Sequence, residues 1–400
     1  MNAGAGLPQG RSGSLRIFVI AGEHSGDQLG AGLMRSLKEL APQVSFEGVG
    51  GPAMERAGLS SLFPLADIAV MGLWPVIKKL PSLLARIRQT ADAVIASRPD
   101  VLVIIDSPDF THRVAAKVRQ IAPAIPIIDY VSPTVWAWRP GRAPKMRAYV
   151  DHLLAVLPFE PDAHRRLGGP ECTYVGHPLI ERLSELRPNA EEAARRAAAP
   201  PRLLVLPGSR RSEIERLLDL FGETLEKVVE RIGPVAPVLP AVSHLADDIS
   251  ARTRGWKIPP DIVLGEAGKY EAFRTARAAL AASGTVTLEL ALAQVPMVVA
   301  YRWSPIEDLL RPFVKVSSVV LPNLVIGRNA VPEFLQQTCT AHNLAGALVS
   351  VLEDGPARSA QLDAFADVDA RMTLPEGKTP SGQAARIVLD AMNSRRAAGR

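Results

Sequence analysis

Four short segments of this 400-residue chain set glycine, hydroxyl, carboxylate and arginine groups directly after apolar runs, where they could grip phosphate or move a proton. In Ala21-Gly22-Glu23-His24-Ser25-Gly26-Asp27 the glycines let the backbone pass close to a ligand, and the start of the helical pattern that follows favours negative charge. Ser25 and Asp27 are candidate substrate-orienting groups; the competing reading is a tight turn in which one of them caps the helix. His24 has the chemistry of a base, but a lone loop histidine is more often a binding or structural residue.

The second segment, Ile105-Asp106-Ser107-Pro108-Asp109-Phe110, ends the most continuously apolar run of the first half and leaves two carboxylates at its mouth. A carboxylate so placed can accept a proton from an attacking hydroxyl. Asp109, beyond Pro108, is the better placed; Asp106 could brace the turn, and turn capping competes for both. No nearby His/Asp cluster completes a metal site, so none is expected.

In Leu206-Pro207-Gly208-Ser209-Arg210-Arg211-Ser212-Glu213, Gly208 and Ser209 offer backbone and hydroxyl donors, and the Arg210 guanidinium can fork onto phosphate. Charge developing on a diphosphate leaving group would be neutralised there without a metal. The bland reading is a solvated helix start with Glu213 and Glu215 in its first turns. Ala282-Ser283-Gly284-Thr285-Val286-Thr287-Leu288-Glu289 repeats the pattern: Ser283, Gly284 and Thr285 present donors, and Glu289, a turn further on, can accept from a ribose diol or simply lie at the surface. Asn323 in Leu321-Pro322-Asn323, with Arg328 after it, suits a sugar hydroxyl or a phosphate, and equally a stabilised turn.

Two stretches mix large apolar and basic side chains. In VMGLWPVIKKLP, residues 70–81, Met71, Leu73, Trp74, Val76 and Ile77 beside Lys78 and Lys79 make an amphipathic segment suited to acyl chains and anionic lipid, or else an ordinary core helix. Residues 135–147 repeat the theme with Trp136, Trp138, Arg139, Arg142, Lys145 and Arg147. Nucleic acid could use the same chemistry, but no recognisable nucleic-acid module accompanies it, so lipid or phosphosugar is the preferred partner. Residues 301–315, with Trp303, Phe313, Arg302, Arg311 and Lys315, look like a second amphipathic wall.

What must position these groups is a doubly wound α/β frame. Short Val- and Ile-rich runs at 16–20, 46–49, 101–105, 125–131 and 153–156 alternate with helical patterns, as in βαβ units with a buried parallel sheet. After a helix-plus-boundary stretch at 186–201 the rhythm restarts at 202–206, 236–239, 262–264, 278–281 and 297–300. Two Rossmann-like α/β halves are expected, with the chemistry in a cleft beyond the carboxyl ends of their strands. The expected division is a disordered tail at 1–14, domains at 15–190 and 191–375, and a C-terminal helix at 376–400 that packs back towards the first domain and frays at its end.

Composition narrows the classes. The length favours two domains. Hydrophobic residues at 47% and charged residues at 22% are ordinary globular values. Two cysteines, Cys172 and Cys339, lie far apart without CxxC spacing, which supports neither a disulfide framework nor a structural zinc site and fits a reducing compartment. No apolar run reaches the length of a membrane span, so membrane contact is expected to be peripheral. A net charge of +5 suits an anionic partner.

Taken in order, the segments resemble the lipid-A-disaccharide synthase family, family-19 glycosyltransferases of the two-domain GT-B fold. The matching stretches are AGEHSGDQLGAGL, GVGGPAM, VMGLWPVIKKLP, IDSPDF, YVSPTVWAWR, LPFE with YVGHP, LPGSRRSEIE, SGTVTLELAL with PMVVAYR, and LPNLVIGR, from about residue 20 to about 328. The resemblance implies inverting transfer of 2,3-diacylglucosamine from its UDP derivative, UDP-2,3-diacylglucosamine, to the 6-hydroxyl of 2,3-diacylglucosamine 1-phosphate in lipopolysaccharide synthesis, with no cofactor. It implies Asp109 as general base, Arg210 on the diphosphate, Glu289 on the ribose and Asn323 as a polar residue needed for activity. Many relatives carry Ala where this chain has His24, so no essential role is assigned to it. The resemblance also implies a place on the cytoplasmic face of the inner membrane, touching anionic lipids of the inner leaflet, with a homodimer as a candidate assembly. A UDP-sugar epimerase of GT-B fold and a non-catalytic membrane-associated nucleotide-binding protein are the rival readings.

Overall fold

Runs of Val, Ile, Leu and Phe become central strands because both their faces can be covered; Val101–Ile105 is wholly buried along its length. The computed structural model describes residues 15–68, 73–304 and 316–398. One sheet holds β1 (Leu15–Ala21), β2 (Val44–Val49), β3 (Ser60–Ser61), β4 (Val101–Ile105), β5 (Ile127–Tyr130), β6 (His152–Ala155) and β7 (Glu171–Tyr174). Their order is β3-β2-β1-β4-β5-β6-β7, with every pairing parallel. The second sheet holds β8 (Arg202–Leu206), β9 (Ala236–Ala241), β10 (Asp261–Leu264), β11 (Ala278–Ala282), β12 (Met297–Tyr301) and β13 (Glu333–Leu335). It is also parallel, in the order β10-β9-β8-β11-β12-β13.

Each order runs outward in one direction from the first strand and then reverses, so β1 and β4, and likewise β8 and β11, are neighbours with connections leaving to opposite sides. Such reversals are where doubly wound sheets bind ligands. The register brings Ala21 beside Ile105 and Leu206 beside Ala281, so the turns that follow each pair emerge together. The four chemistry-bearing segments are these turns.

The chain forms two units. One comprises the described residues up to Val156, then Glu160–Pro178 and the chain from Leu374; the other comprises Leu157–Phe159 and Leu179–Thr373. The change of unit thus falls ahead of residue 190, and the helix Ala190–Ala197 belongs wholly to the second unit. Arg196 helps to tie that helix in: its guanidinium donates to the carbonyls of Arg274, Phe273, Gln294 and Ala293 at 2.8–3.0 Å. Those carbonyls close the helices Gly265–Thr275 and Val286–Leu292, whose last acceptors lack partners within the helix.

In the first unit, Leu33, Met34 and Leu37 of the helix His24–Leu40 pack on one face of the sheet with Ala384, Ala385, Val388 and Met392 of the helix Pro380–Ala398. The other face is covered by the helices Leu73–Ser97 and Pro108–Ile121, through Ile87, Val94, Val114 and Val118. In the second unit, Leu203, Val205 and Leu280 meet Leu217, Phe221 and Leu225 of the helix Arg211–Ile232.

Candidate active site

In the second unit the turns after β8 and β11 open into a cavity of about 630 Å³ at the carboxyl end of the sheet. Gly208, Ser209, Arg210, Ser283, Gly284, Thr285 and Glu289 all line it, so every residue expected on the donor side lies in one hollow. Pro240–Ser243 at the end of β9 and just beyond it, and Gly265, Glu266 and Lys269 after β10, complete its wall.

The turn after β8 is built around a carboxylate. Gly208 has φ +117°, and a Cβ there would lie 2.4 Å from Glu213 Oε2, so glycine is required on both counts. Glu213 Oε2 accepts from the N–H groups of Ser209 at 3.0 Å and Arg210 at 3.2 Å, while Oε1 accepts from Arg210 Nη1 at 3.0 Å. Glu213 is therefore not part of a solvated helix start. It is buried and takes the backbone donors of Ser209 and Arg210, the first of which the sequence offered to a phosphate. The Arg210 side chain, 64% exposed, keeps most of its fork for an anion.

Across the cavity, Ser283 Oγ donates to the Val319 carbonyl at 2.7 Å, which fixes the next turn. Glu289 is 12% exposed and receives both of its carboxylate contacts from Lys269 Nζ, at 2.9 and 2.6 Å. A carboxylate has about four lone-pair directions, so this pair leaves acceptor capacity for a diol. Lys269 escaped the sequence reading because nothing local distinguishes it; it lies one helical turn inside Gly265–Thr275.

Asn323 and Arg328 do not line this cavity. Asn323 is 2% exposed, and its amide is fully used: Nδ2 donates to Ser318 Oγ at 3.2 Å and the Val331 carbonyl at 2.9 Å, and Oδ1 accepts from the Ala330 and Val331 N–H groups at 3.0 and 2.9 Å. It braces the loop that presents Val319 to Ser283. Arg328 is exposed and pairs with Asp367.

In the first unit the turns after β1 and β4 interlock. Gly22 donates its N–H to the Ile105 carbonyl at 3.3 Å. Asp106 and Ser107 are both left-handed, with φ +55° and +46°. The Asp106 carboxylate accepts from Ser107 N–H at 2.7 Å and Ser25 Oγ at 3.3 Å, and its carbonyl accepts from Thr111 Oγ1 at 2.7 Å. Asp106 and Ser25 thus hold the turn. Asp27 is buried, and its two oxygens accept from the Gly51, Ala53 and Met54 N–H groups at 2.8–3.0 Å. A substrate-orienting role for Asp27 gives way to capping the helix Pro52–Arg56. His24 is exposed.

Asp109 stands in the first turn of the helix Pro108–Ile121, 78% exposed, with Arg142 Nη2 at 3.0 Å from Oδ1. One turn on, His112 is buried, its Nε2 3.0 Å from Asp129 Oδ2 and its Nδ1 3.2 Å from the Tyr149 hydroxyl. Burial raises the Asp129 carboxyl above the usual carboxylate range, an effect that His112 partly offsets. Burial raises the Tyr149 phenol likewise. The signal for this network was a carboxylate inside the apolar run of β5.

Of the expected lipid-contact residues, Met71 lies outside the described residues. Leu73, Trp74, Val76, Ile77, Lys78 and Lys79 fall on the first turns of the helix Leu73–Ser97, and their side chains also lie outside them. Among the described residues no helix is long and apolar enough to cross a membrane.

The same frame recurs in solved structures. A glycosyltransferase of kitacinnamycin aligns at TM-score 0.60 and 17% identity, covering 96% of this chain and all of its own. The UDP-GlcNAc 2-epimerase of Neisseria meningitidis, bound to UDP-GlcNAc, aligns at 0.59 and 10%, covering 95% of this chain and all of its own. At such identities the likeness is one of fold, the two Rossmann-like domains of GT-B proteins. Sequence similarity is far closer to the lipid-A-disaccharide synthase of Nitrobacter hamburgensis, 58% identical over 96% of this chain and 97% of that one. A family model described as lipid-A-disaccharide synthetase matches residues 17–387, and the chain belongs to that family.

Proposed function

We propose that this protein joins UDP-2,3-diacylglucosamine to 2,3-diacylglucosamine 1-phosphate, giving the β-1,6-linked tetra-acyl disaccharide 1-phosphate and UDP. Its membership of the family supports the reaction, and the observation that carries the division of roles is the convergence of the Gly208–Arg210 and Ser283–Glu289 segments on one cavity of the second unit. That cavity takes the UDP moiety: Glu289, held by Lys269, accepts from the ribose, and Arg210 forks onto the diphosphate.

The first unit supplies the base. The oxygen of the acceptor 6-hydroxyl attacks the anomeric carbon as the bond from that carbon to UDP breaks, with inversion. The proton passes to the Asp109 carboxylate, and the bonding electron pair leaves with UDP, whose charge Arg210 stabilises. The acceptor is lipid-linked, so the protein works at the cytoplasmic face of the inner membrane, with residues 70–81 against anionic lipid.

The test is incubation of the purified protein with both acylated glucosamine substrates. Equimolar UDP and tetra-acyl disaccharide 1-phosphate are expected. Epimerised UDP-sugar, or UDP binding without turnover, would overturn the assignment.

A further inference from the structure

We propose that Arg142 binds the phosphate of the acceptor and, in doing so, releases the Asp109 carboxylate to act as base; the inference rests on the transfer reaction above. Arg142 Nη2 lies 3.0 Å from Asp109 Oδ1, and the two side chains differ sharply in cover, 25% exposed against 78%. The guanidinium stem is therefore anchored while the carboxylate stands open. Among the described residues this is the one hydrogen bond that the Arg142 guanidinium makes, and the group carries five N–H donors in a fork matched to phosphate.

The segment that carries Arg142 is fixed from behind. Ser132 Oγ lies 2.8 Å from Nε2 of the buried His164, Trp136 Nε1 donates to Glu160 Oε1 at 3.2 Å, and the Arg142 N–H donates to the Arg139 carbonyl at 2.9 Å. Arg142 can thus turn its head group without its backbone moving. An exposed pair of this kind adds little to stability, so a phosphate dianion displaces the carboxylate at small cost.

The acceptor's own geometry asks for this neighbourhood. In a pyranose, C1 and C5 are both bonded to the ring oxygen, so a 1-phosphate and the 6-hydroxyl borne through C5 lie along the same edge of the sugar. A base at the 6-hydroxyl must have its phosphate ligand close by, and Arg142 is the cation paired to Asp109. Binding moves the guanidinium onto phosphate, and the vacated carboxylate oxygen faces the 6-hydroxyl whose proton it takes.

The experiment compares kcat/KM of wild type, Arg142→Ala and Arg142→Lys with the phosphorylated acceptor and with the same diacyl sugar as its 1-O-methyl glycoside, at fixed donor. Arg142→Ala is expected to lose about 10- to 100-fold on the phosphorylated acceptor, mainly through KM, and no more than about threefold on the glycoside. Arg142→Lys, charged but without the fork, falls between. Equal losses on both acceptors would overturn the role of Arg142 and leave the transfer reaction standing. Absence of disaccharide from wild type with either acceptor would overturn the reaction itself and this inference with it.

Discussion

Gly22 and Ser107 approach so closely that a Cβ on residue 22 would stand 2.1 Å from the Ser107 Cβ. This contact locks the turn after β1 against the one that carries Asp109, and no side chain fits between them. Gly22→Ala is expected to cost about 1–3 kcal/mol of stability and to lower kcat by displacing residues 106–109. Urea unfolding alongside steady-state kinetics checks it, and an unchanged kcat in a folded variant would show that the turns move independently.

Asp109→Asn keeps the shape of the side chain and removes its power to accept a proton. An essential base predicts a fall in kcat of about 10²- to 10⁴-fold with donor binding intact. Full turnover in this variant would remove Asp109 from the chemistry.

The Lys269–Glu289 pair gives a test confined to the donor side. Glu289→Gln keeps the volume but weakens acceptance from the ribose, so KM for the UDP donor is expected to rise about tenfold with KM for the acceptor unchanged. Lys269→Met leaves a carboxylate that is 12% exposed without its cation, and should lower thermal stability as well as donor affinity. Titration calorimetry with UDP separates the two effects.

Asn323→Ala removes four hydrogen bonds from a buried site and leaves the Ala330 and Val331 N–H groups without that acceptor. A loss of at least about 2 kcal/mol is expected. Activity should fall through the Val319–Ser283 contact, so donor affinity should drop more than acceptor affinity. A variant as stable as wild type but inactive would instead place Asn323 against the substrate.

Two histidines, His164 buried and His177 half-buried, make the fold sensitive to acid. Burial lowers His164 and His177 to about 4, below the ordinary value of 6.5. The unfolded chain therefore takes up protons first on acidification, and stability held above pH 6.5 is lost as pH falls towards 4. The unfolding midpoint should decline steadily across that window, and His164→Gln should flatten the slope. A midpoint constant from pH 6.5 to 4.5 would contradict this.

The alternation of apolar runs and helical patterns, the two α/β units and the glycine-bearing turns after β8 and β11 were all legible in the sequence. Such turns are local: Gly208, Ser209 and Arg210, or Ser283, Gly284 and Thr285, sit within a few residues after a strand, so spacing alone reveals them as candidates for phosphate. The sequence also offered Asp27 and Asn323 as polar groups near such turns, but burial decided their use, and that depends on what the fold stacks above them.

Only the tertiary structure decided which charges meet. Asp109 and Arg142 are 33 residues apart, Lys269 and Glu289 are 20 apart, and His112 and Asp129 are 17 apart on a helix and a strand. No helical or strand period links such positions. They are joined because the strand order places β4 beside β5 in one sheet and runs β10-β9-β8-β11 in the other, which brings the segments after those strands to the same sheet ends. What a residue can do is written in its type, but which partner holds it, and so whether it braces a turn or moves a proton, is set by the packing that brings distant segments together.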